Sequence, residues 1–291
     1  CFDKKNIAVD TGFIVYNTNN YPNLASLFRE LKVPTKWSNM SFGFSSEDGK
    51  LEYSCENLNT IFAQRKNILS LSFINGLREI LRFNQEAPIA MDKGQLVNLS
   101  LGEYLVKHRH GKWFIDKFIL PMGAAIWSTP TSEMLNFPAL NFVSFFQNHD
   151  LLAGMSRSQS WRTVDGGSKV YVDKIIKKLG SSALTNTPVT RVKRIKDGVN
   201  LTFSNGEQEK FDHVVICSHA PQAMKMLTEK TNKELELLGH FKTSKNRMVL
   251  HSDKNLMPNK LKTWSSWNFR SPSQLNELDQ VASVTYWMNR L

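Results

Sequence analysis

No two of the 15 glycines in this 291-residue chain are separated by a single residue. A G-x-G-x-x-G loop is therefore absent, and with it the motif that sets backbone N–H groups and a helix N-terminus against a pyrophosphate. No apolar run reaches the roughly 18 residues that a membrane-spanning helix needs. Cysteine is scarce. Cys1, Cys55 and Cys217 lack metal-ligand spacing, and so few thiols suit a reducing cytoplasm better than a disulfide framework. His108 and His110 flank one residue but have no second ligand pair, so no metal is expected and both read as surface residues on a basic helix end. Neither a Ser-His-Asp arrangement nor a pair of carboxylates at a site is evident, and no catalytic side chain is assigned. With 41% hydrophobic and 22% charged residues, the chain can still bury a sizeable core and build two domains.

The most informative stretch runs from Trp161 to Pro221. Gly166 and Gly167 have no side chain to hold a ligand away, and Ser168 is placed to N-cap the helix that follows. Val172, Ile175, Ile176 and Leu179 fall at i, i+3, i+4 and i+7, which predicts one buried stripe, and Gly180 stands where a left-handed cap is expected. Asp197-Gly198 and Asn205-Gly206 are hairpin dipeptides, and between them Val199, Leu201 and Phe203 alternate as in a half-buried strand. Val214-Val215-Ile216-Cys217 is apolar on both faces, predicting a strand sandwiched between layers. Pro221 then suits the first turn of a helix through Ala223, Met224 and Leu227.

In this order, a diglycine, a helix, a β-meander and an apolar strand resemble the middle of the flavin-containing amine oxidase superfamily, which includes protoporphyrinogen oxidases and phytoene-desaturase-type enzymes. The opening VDTGFIVYNTNNYPNLASLFRELKV supports the resemblance: Asp10, Thr11, Gly12 and Phe13 hold the places of a strand end that runs under the flavin ring. Leu24, Leu27, Phe28 and Leu31 stripe the next helix, with Pro22 in its first turn. PMGAAIWSTPTSEMLNFPAL, VLHSDKNLMP and SVTYWMNRL narrow the match to a bacterial subgroup of predicted NAD/FAD-binding proteins, often encoded beside genes that resemble cyclopropane-fatty-acid synthases.

The resemblance implies FAD as cofactor. It implies that Thr11, Gly12 and Phe13 run along the flavin ring, with Gly166 and Gly167 close by and Val189 meeting the adenine end through its main chain. It also implies that these residues are an internal stretch of a longer protein, missing both ends of the cofactor domain. The expected fold is α/β: a partial FAD/NAD(P)-binding, Rossmann-like domain (1–18 and 163–224) interleaved with an α+β substrate domain (19–162 and 225–291). In the substrate part, Ser100 and Glu103 predict a capping box and Phe73, Leu77, Ile80 and Leu81 a helical stripe. Pro121, Pro130 and Pro138 cut the next region into short helices. Strands are predicted at Met248–His251, Trp264–Phe269 and Val281–Met288. Many amine oxidases place a lysine near the flavin; Lys245 and Asn246 fall near that point in an ambiguous register, and His251 and Asp253 are the other polar candidates.

Trp127 and Trp161 each sit beside a polar turn and are the candidates for an apolar substrate cavity, core packing being the alternative. The net charge of +11 is densest at Lys169, Lys174, Lys177, Lys178, Arg191, Lys193, Arg194 and Lys196. A solvated face is the default reading. Peripheral contact with an anionic membrane comes second, and nucleic acid last, since no stacking aromatics accompany the charge. The sequence thus points to a cytoplasmic FAD-dependent oxidoreductase that takes hydride from a mainly apolar small-molecule or acyl-lipid substrate. The alternatives are a redox-neutral flavin isomerase or mutase, or a non-catalytic lipid- or partner-binding domain.

Overall fold

A computed structural model describes residues 9–152, 161–243, 247–272 and 283–291. Two compact units divide them: one takes in the chain up to Ile175 and again His251–Leu291, the other Ile176–Leu250.

The larger unit holds two sheets and a helical layer. Strands β1 (Tyr16–Asn17), β2 (Thr35–Trp37) and β5 (Trp161–Val164) form an antiparallel sheet in the order β1-β5-β2. Strands β3 (Phe42–Ser46), β4 (Glu52–Ser54), β9 (Trp267–Ser271) and β10 (Ser283–Tyr286) form the other, ordered β10-β9-β3-β4, with β3 and β9 parallel. Helix α1 (Pro22–Glu30) starts on Pro22 as expected, because the first-turn N–H that proline lacks has no intrahelical partner anyway. It buries Ala25 and Phe28 while Leu27 stays exposed.

Helix α2 (Leu71–Asp92) is capped by Ser70, whose hydroxyl accepts the Phe73 N–H. Its stripe buries Phe73, Phe83 and Ala87, with Leu77 and Ile80 packed beside them. Leu81 departs from the expected stripe and is 59% exposed, because the buried face continues through Gly76 and Phe83 and leaves Leu81 on the flank. Gly76 is needed for a steric reason: a Cβ there would lie 1.9 Å from the Trp113 indole, which rests on the helix backbone. The capping box forms at α3 (Leu101–Lys107), where Ser100 Oγ accepts the Glu103 N–H at 3.1 Å and Glu103 Oε2 accepts the Ser100 N–H at 2.8 Å. These bonds to the ionised form hold the Glu103 carboxyl below its ordinary range. Pro121 breaks nothing: it lies inside α4 (Leu120–Trp127), which continues the helical turns of 112–119 through a π-helical stretch, whereas helix α5 (Ala139–Asn148) follows Pro138 as expected. The Phe142 and Phe146 rings stack at 4.3 Å in the centre of this core.

His110 is not a surface residue. Its side chain is buried against Phe83, Tyr104 and Phe114, and its Nδ1 lies 2.8 Å from Glu79 Oε2. Arg82 donates to the same carboxylate oxygen at 2.8 Å and to the carbonyls of His108 and Arg109. An Nδ1–H donor fits that arrangement and leaves Nε2 a lone-pair acceptor, buried without a partner among the described residues. Burial disfavours the imidazolium and lowers the His110 pKa from its ordinary value, outweighing the Glu79 contact.

Helix α6 (Lys169–Leu179) spans the division between the units. The smaller unit then carries a meander of β6 (Val189–Ile195), β7 (Gly198–Phe203) and β8 (Gln208–Phe211), with α7 (Ala220–Met226) and α8 (Asn232–Gly239). Both hairpin dipeptides turn as predicted, with Gly198 at φ +130 and Gly206 at φ +87. Glycine is obligatory at 198 because an added Cβ would lie 2.3 Å from the Phe211 carbonyl oxygen. Val192, Leu201 and Leu227 make the unit's small core.

Three sequence expectations fail in these parts. The α6 stripe is not buried: Val172, Ile176 and Leu179 are 39%, 41% and 52% exposed. Val214–Cys217 forms no strand, and Val215 is 84% exposed. Met248–His251 forms none either, and Met248, Val249 and Leu250 are exposed. One physical reason covers all three. An apolar strand needs a neighbour to hydrogen-bond and layers to cover it, and among the described residues nothing supplies them. Farther on, Trp267–Ser271 and Ser283–Tyr286 do pair, shorter than the predicted runs. The start of the second, at 281–282, lies outside the described residues.

Candidate functional site

Strand β5 ends at Val164 and turns through Asp165, Gly166 and Gly167 into α6. Both glycines have positive φ, +88 and +84, which L side chains rarely adopt. The Asp10–Phe13 segment docks on this turn. Both Asp10 carboxylate oxygens accept the Ser168 N–H, at 3.0 and 2.9 Å. Ser168 Oγ donates to the Phe13 carbonyl at 3.3 Å, and Thr163 Oγ1 to the Ile14 carbonyl at 2.7 Å. The Ser168 hydroxyl therefore does not cap α6 as expected, because it is turned to Phe13 and the Asp10 carboxylate takes the first free N–H. That charge also complements the positive end of the helix dipole. Below the segment, Phe13 and Tyr16 join Phe28 and Tyr171 in a ring cluster, with Tyr16–Phe28 and Phe28–Tyr171 both 5.2 Å apart.

The structure thus brings Asp10 and the Phe13 carbonyl to the turn at Gly167 and Ser168, while Thr11 and Gly12 between them remain exposed. Beside Gly12, no described residue comes within 4 Å of where a Cβ would stand. Val189 belongs to the other unit, where it opens β6 opposite Phe203 just before a bulge.

Trp127 and Trp161 are linked by a row of rings. Trp127 packs on Phe145 at 4.8 Å, Phe145 stacks on His149 at 3.9 Å, and His149 on Trp161 at 6.0 Å. His149 was not legible as a site residue. Its Nδ1 lies 2.9 Å from the Phe145 carbonyl, and its Nε2 is buried without a partner among the described residues. Asn17, the strand partner of Trp161, likewise buries an Nδ2 with no partner. Arg162 stacks over the exposed Trp37 ring at 4.5 Å and bonds Thr35. A groove of about 430 Å³ beside Gly76 and Trp113 is lined by none of the sequence-predicted site residues.

Lys245 and Asn246 lie outside the described residues. His251 and Asp253 form a local turn, the Asp253 N–H donating to His251 Nδ1 at 3.1 Å. No group of three or more metal-ligating side chains occurs among the described residues, and no described helix is long and apolar enough to cross a membrane. Part of the basic face has structural partners: Lys174 donates to the carbonyls of Leu31 and Lys32, and Arg194 pairs with Glu234.

Against known proteins, the family model described as flavin containing amine oxidoreductase matches residues 2–261. No curated protein matches. Among solved structures, an engineered putrescine oxidase shares 14% identity at TM-score 0.58, covering 80% of this chain and 52% of that one. A CLA-producing fatty acid isomerase from P. acnes shares 14% identity at TM-score 0.54, covering 79% of this chain and 52% of that one. The chain therefore spans about half the length of these structures, and at such identity they show the fold alone. A flavin fits beside Gly12, where no described residue comes within 4 Å of an added Cβ, while the Gly166–Gly167 turn itself is packed by the Val170 and Asp10 side chains. The match over most of the chain, together with this glycine-edged surface, places the chain in the flavin containing amine oxidoreductase family, with FAD as its cofactor.

Proposed function

We propose that this chain contributes the ring-facing edge and the substrate side of an FAD-dependent oxidoreductase that takes hydride from a mainly apolar, acyl-lipid-like substrate. FAD, when bound, supplies the hydride acceptor. The protein's part is to orient a carbon and exclude water. The observation that carries the substrate class is the ring row from Trp127 through Phe145 and His149 to Trp161. It ends on β5, the strand that turns into the diglycine. A polyamine would call for acids along such a wall, whereas residues 119–170 contain only Glu133, Asp150 and Asp165. Burying an acyl chain supplies about 0.8 kcal/mol per CH₂ and needs no such charges. The basic residues around α6 and the meander would rest on anionic lipid at a membrane surface, and the scarcity of cysteine supports a cytoplasmic location.

The same reading places further cofactor-domain layers over the uncovered α6 stripe and over Val214, Val215 and Met248–Leu250. Thr11, Gly12 and Phe13 then run along the ring, and Val189 serves the adenine end by its main chain. Anaerobic mixing of the full-length protein with acyl lipids, primary amines and polyamines tests the proposal. Bleaching of flavin absorbance by lipids is expected, and rapid bleaching by polyamines alone would overturn the substrate class. A redox-neutral isomerase is the second reading, favoured by the likeness to the fatty acid isomerase. It predicts lipid turnover with no net flavin reduction. A colourless full-length protein would instead indicate a non-catalytic lipid- or partner-binding domain.

A further inference from the structure

Helix α6 has no cap from its own sequence neighbours, since the Ser168 hydroxyl faces the Phe13 carbonyl. Its cap comes from 158 residues away, where both oxygens of Asp10 accept the Ser168 N–H. Three side-chain bonds join the Asp10–Ile14 segment to β5 and the diglycine turn, and in two of them the segment offers only a carbonyl to Thr163 or Ser168. Among the described residues, Asp10 is the side chain that the segment contributes to these bonds, while the Phe13 ring packs on Tyr171 of α6. The turn is shaped around it: a Cβ on Gly167 would stand 3.3 Å from Asp10 Oδ1, and Gly167 holds φ +84. Two residues beyond Asp10, at Gly12, no described residue comes within 4 Å of an added Cβ.

We propose that Asp10 is a positioning residue for the flavin. By capping α6 in trans, it fixes the Thr11–Phe13 edge in register with the Gly166–Gly167 turn, so that two segments far apart in sequence present one surface. The proposal rests on the flavin reading above. The cap is an acceptor bond, so an amide oxygen should serve nearly as well as a carboxylate, because Asn and Asp are equivalent caps.

The test uses the full-length protein and the Asp10→Ala and Asp10→Asn variants. Three quantities are measured: flavin affinity, the visible circular dichroism of bound flavin, and amide hydrogen exchange at Ser168. Asp10→Ala should weaken flavin binding about tenfold or more, alter the dichroism and speed Ser168 exchange. Asp10→Asn should restore most of each. The dichroism and the rescue separate positioning from a role in stability alone. If Asp10→Ala lowers the melting temperature but leaves affinity and dichroism unchanged, the proposal fails. It fails too if Asp10→Asn behaves like Asp10→Ala. Wild-type protein without flavin would remove the flavin reading only. The trans cap would then be judged by Ser168 exchange, faster in Asp10→Ala if it exists and unchanged if it does not.

Discussion

Helices α2 and α6 carry apolar stripes of the same period, but only one of them is covered. Phe73, Phe83 and Ala87 of α2 are fully buried among the Tyr104, Trp113 and Phe114 rings and against α5, whereas Val172, Ile176 and Leu179 of α6 stand 39–52% exposed. Sequence periodicity tells which face of a helix is apolar. It says nothing about whether a partner is present. The α2 face meets its partners within its own unit, while the α6 stripe, like Val214–Val215, has no covering element among the described residues.

Removing core volume from the covered region should have the largest effect. Phe142 is fully buried and stacked on Phe146 and Trp127, so Phe142→Ala should cost about 3–5 kcal/mol. Urea unfolding measures it, and a cost below about 1 kcal/mol would mean that the region is not the close-packed core described here. Second in size is a change on the proposed flavin edge. Gly12→Val meets no atom of the described residues, so it should leave stability nearly unchanged yet obstruct a ring bound there. Flavin content of the purified full-length variant is the readout, and full occupancy would contradict the placement.

A third prediction concerns pH and belongs only to the covered region. Burial disfavours the protonated form of His110, so its pKa in the folded state lies below that of the unfolded chain. The unfolded chain then binds more protons as pH falls below the ordinary histidine value near 6.5. Stability due to this group is therefore complete above that pH and declines as pH drops toward the folded pKa. His110→Asn keeps a donor toward Glu79 and cannot titrate, so it should flatten that part of the urea-unfolding profile. An unchanged slope would place the titration elsewhere.

How much was legible in the sequence follows the same division. The capping box at Ser100, the helix starts at Pro22 and after Pro138 and both hairpin glycines were readable because each depends on residues within a few positions, whereas Pro121 is carried inside α4. The diglycine and the Asp-Thr-Gly segment were readable as a pair through family resemblance, not through their bond. That Asp10 caps α6 could not be seen, since a contact across 158 residues leaves no local period. His110 was misread because a polar side chain's burial depends on partners such as Glu79, which lies 31 residues away. The failed strands at Val214 and Met248 were correct about composition and wrong about surroundings.

The smallest expected effect sharpens the comparison most. In the 291-residue chain, Ile176 has little to lose, so Ile176→Ser should change stability by no more than about 0.5 kcal/mol, as for an ordinary surface site. In the full-length protein the proposal places a layer of the cofactor domain on that side chain. There the same substitution would bury a hydroxyl and remove three packed carbons, with a cost of about 2–5 kcal/mol. Parallel urea unfolding of both lengths, with and without the substitution, reads the difference directly. A larger penalty only in the longer protein would show that α6 is covered there. Equal, small penalties in both would mean that its apolar stripe faces solvent by design, and would remove the packing part of the proposed function while leaving Asp10, Gly12 and the diglycine turn untouched.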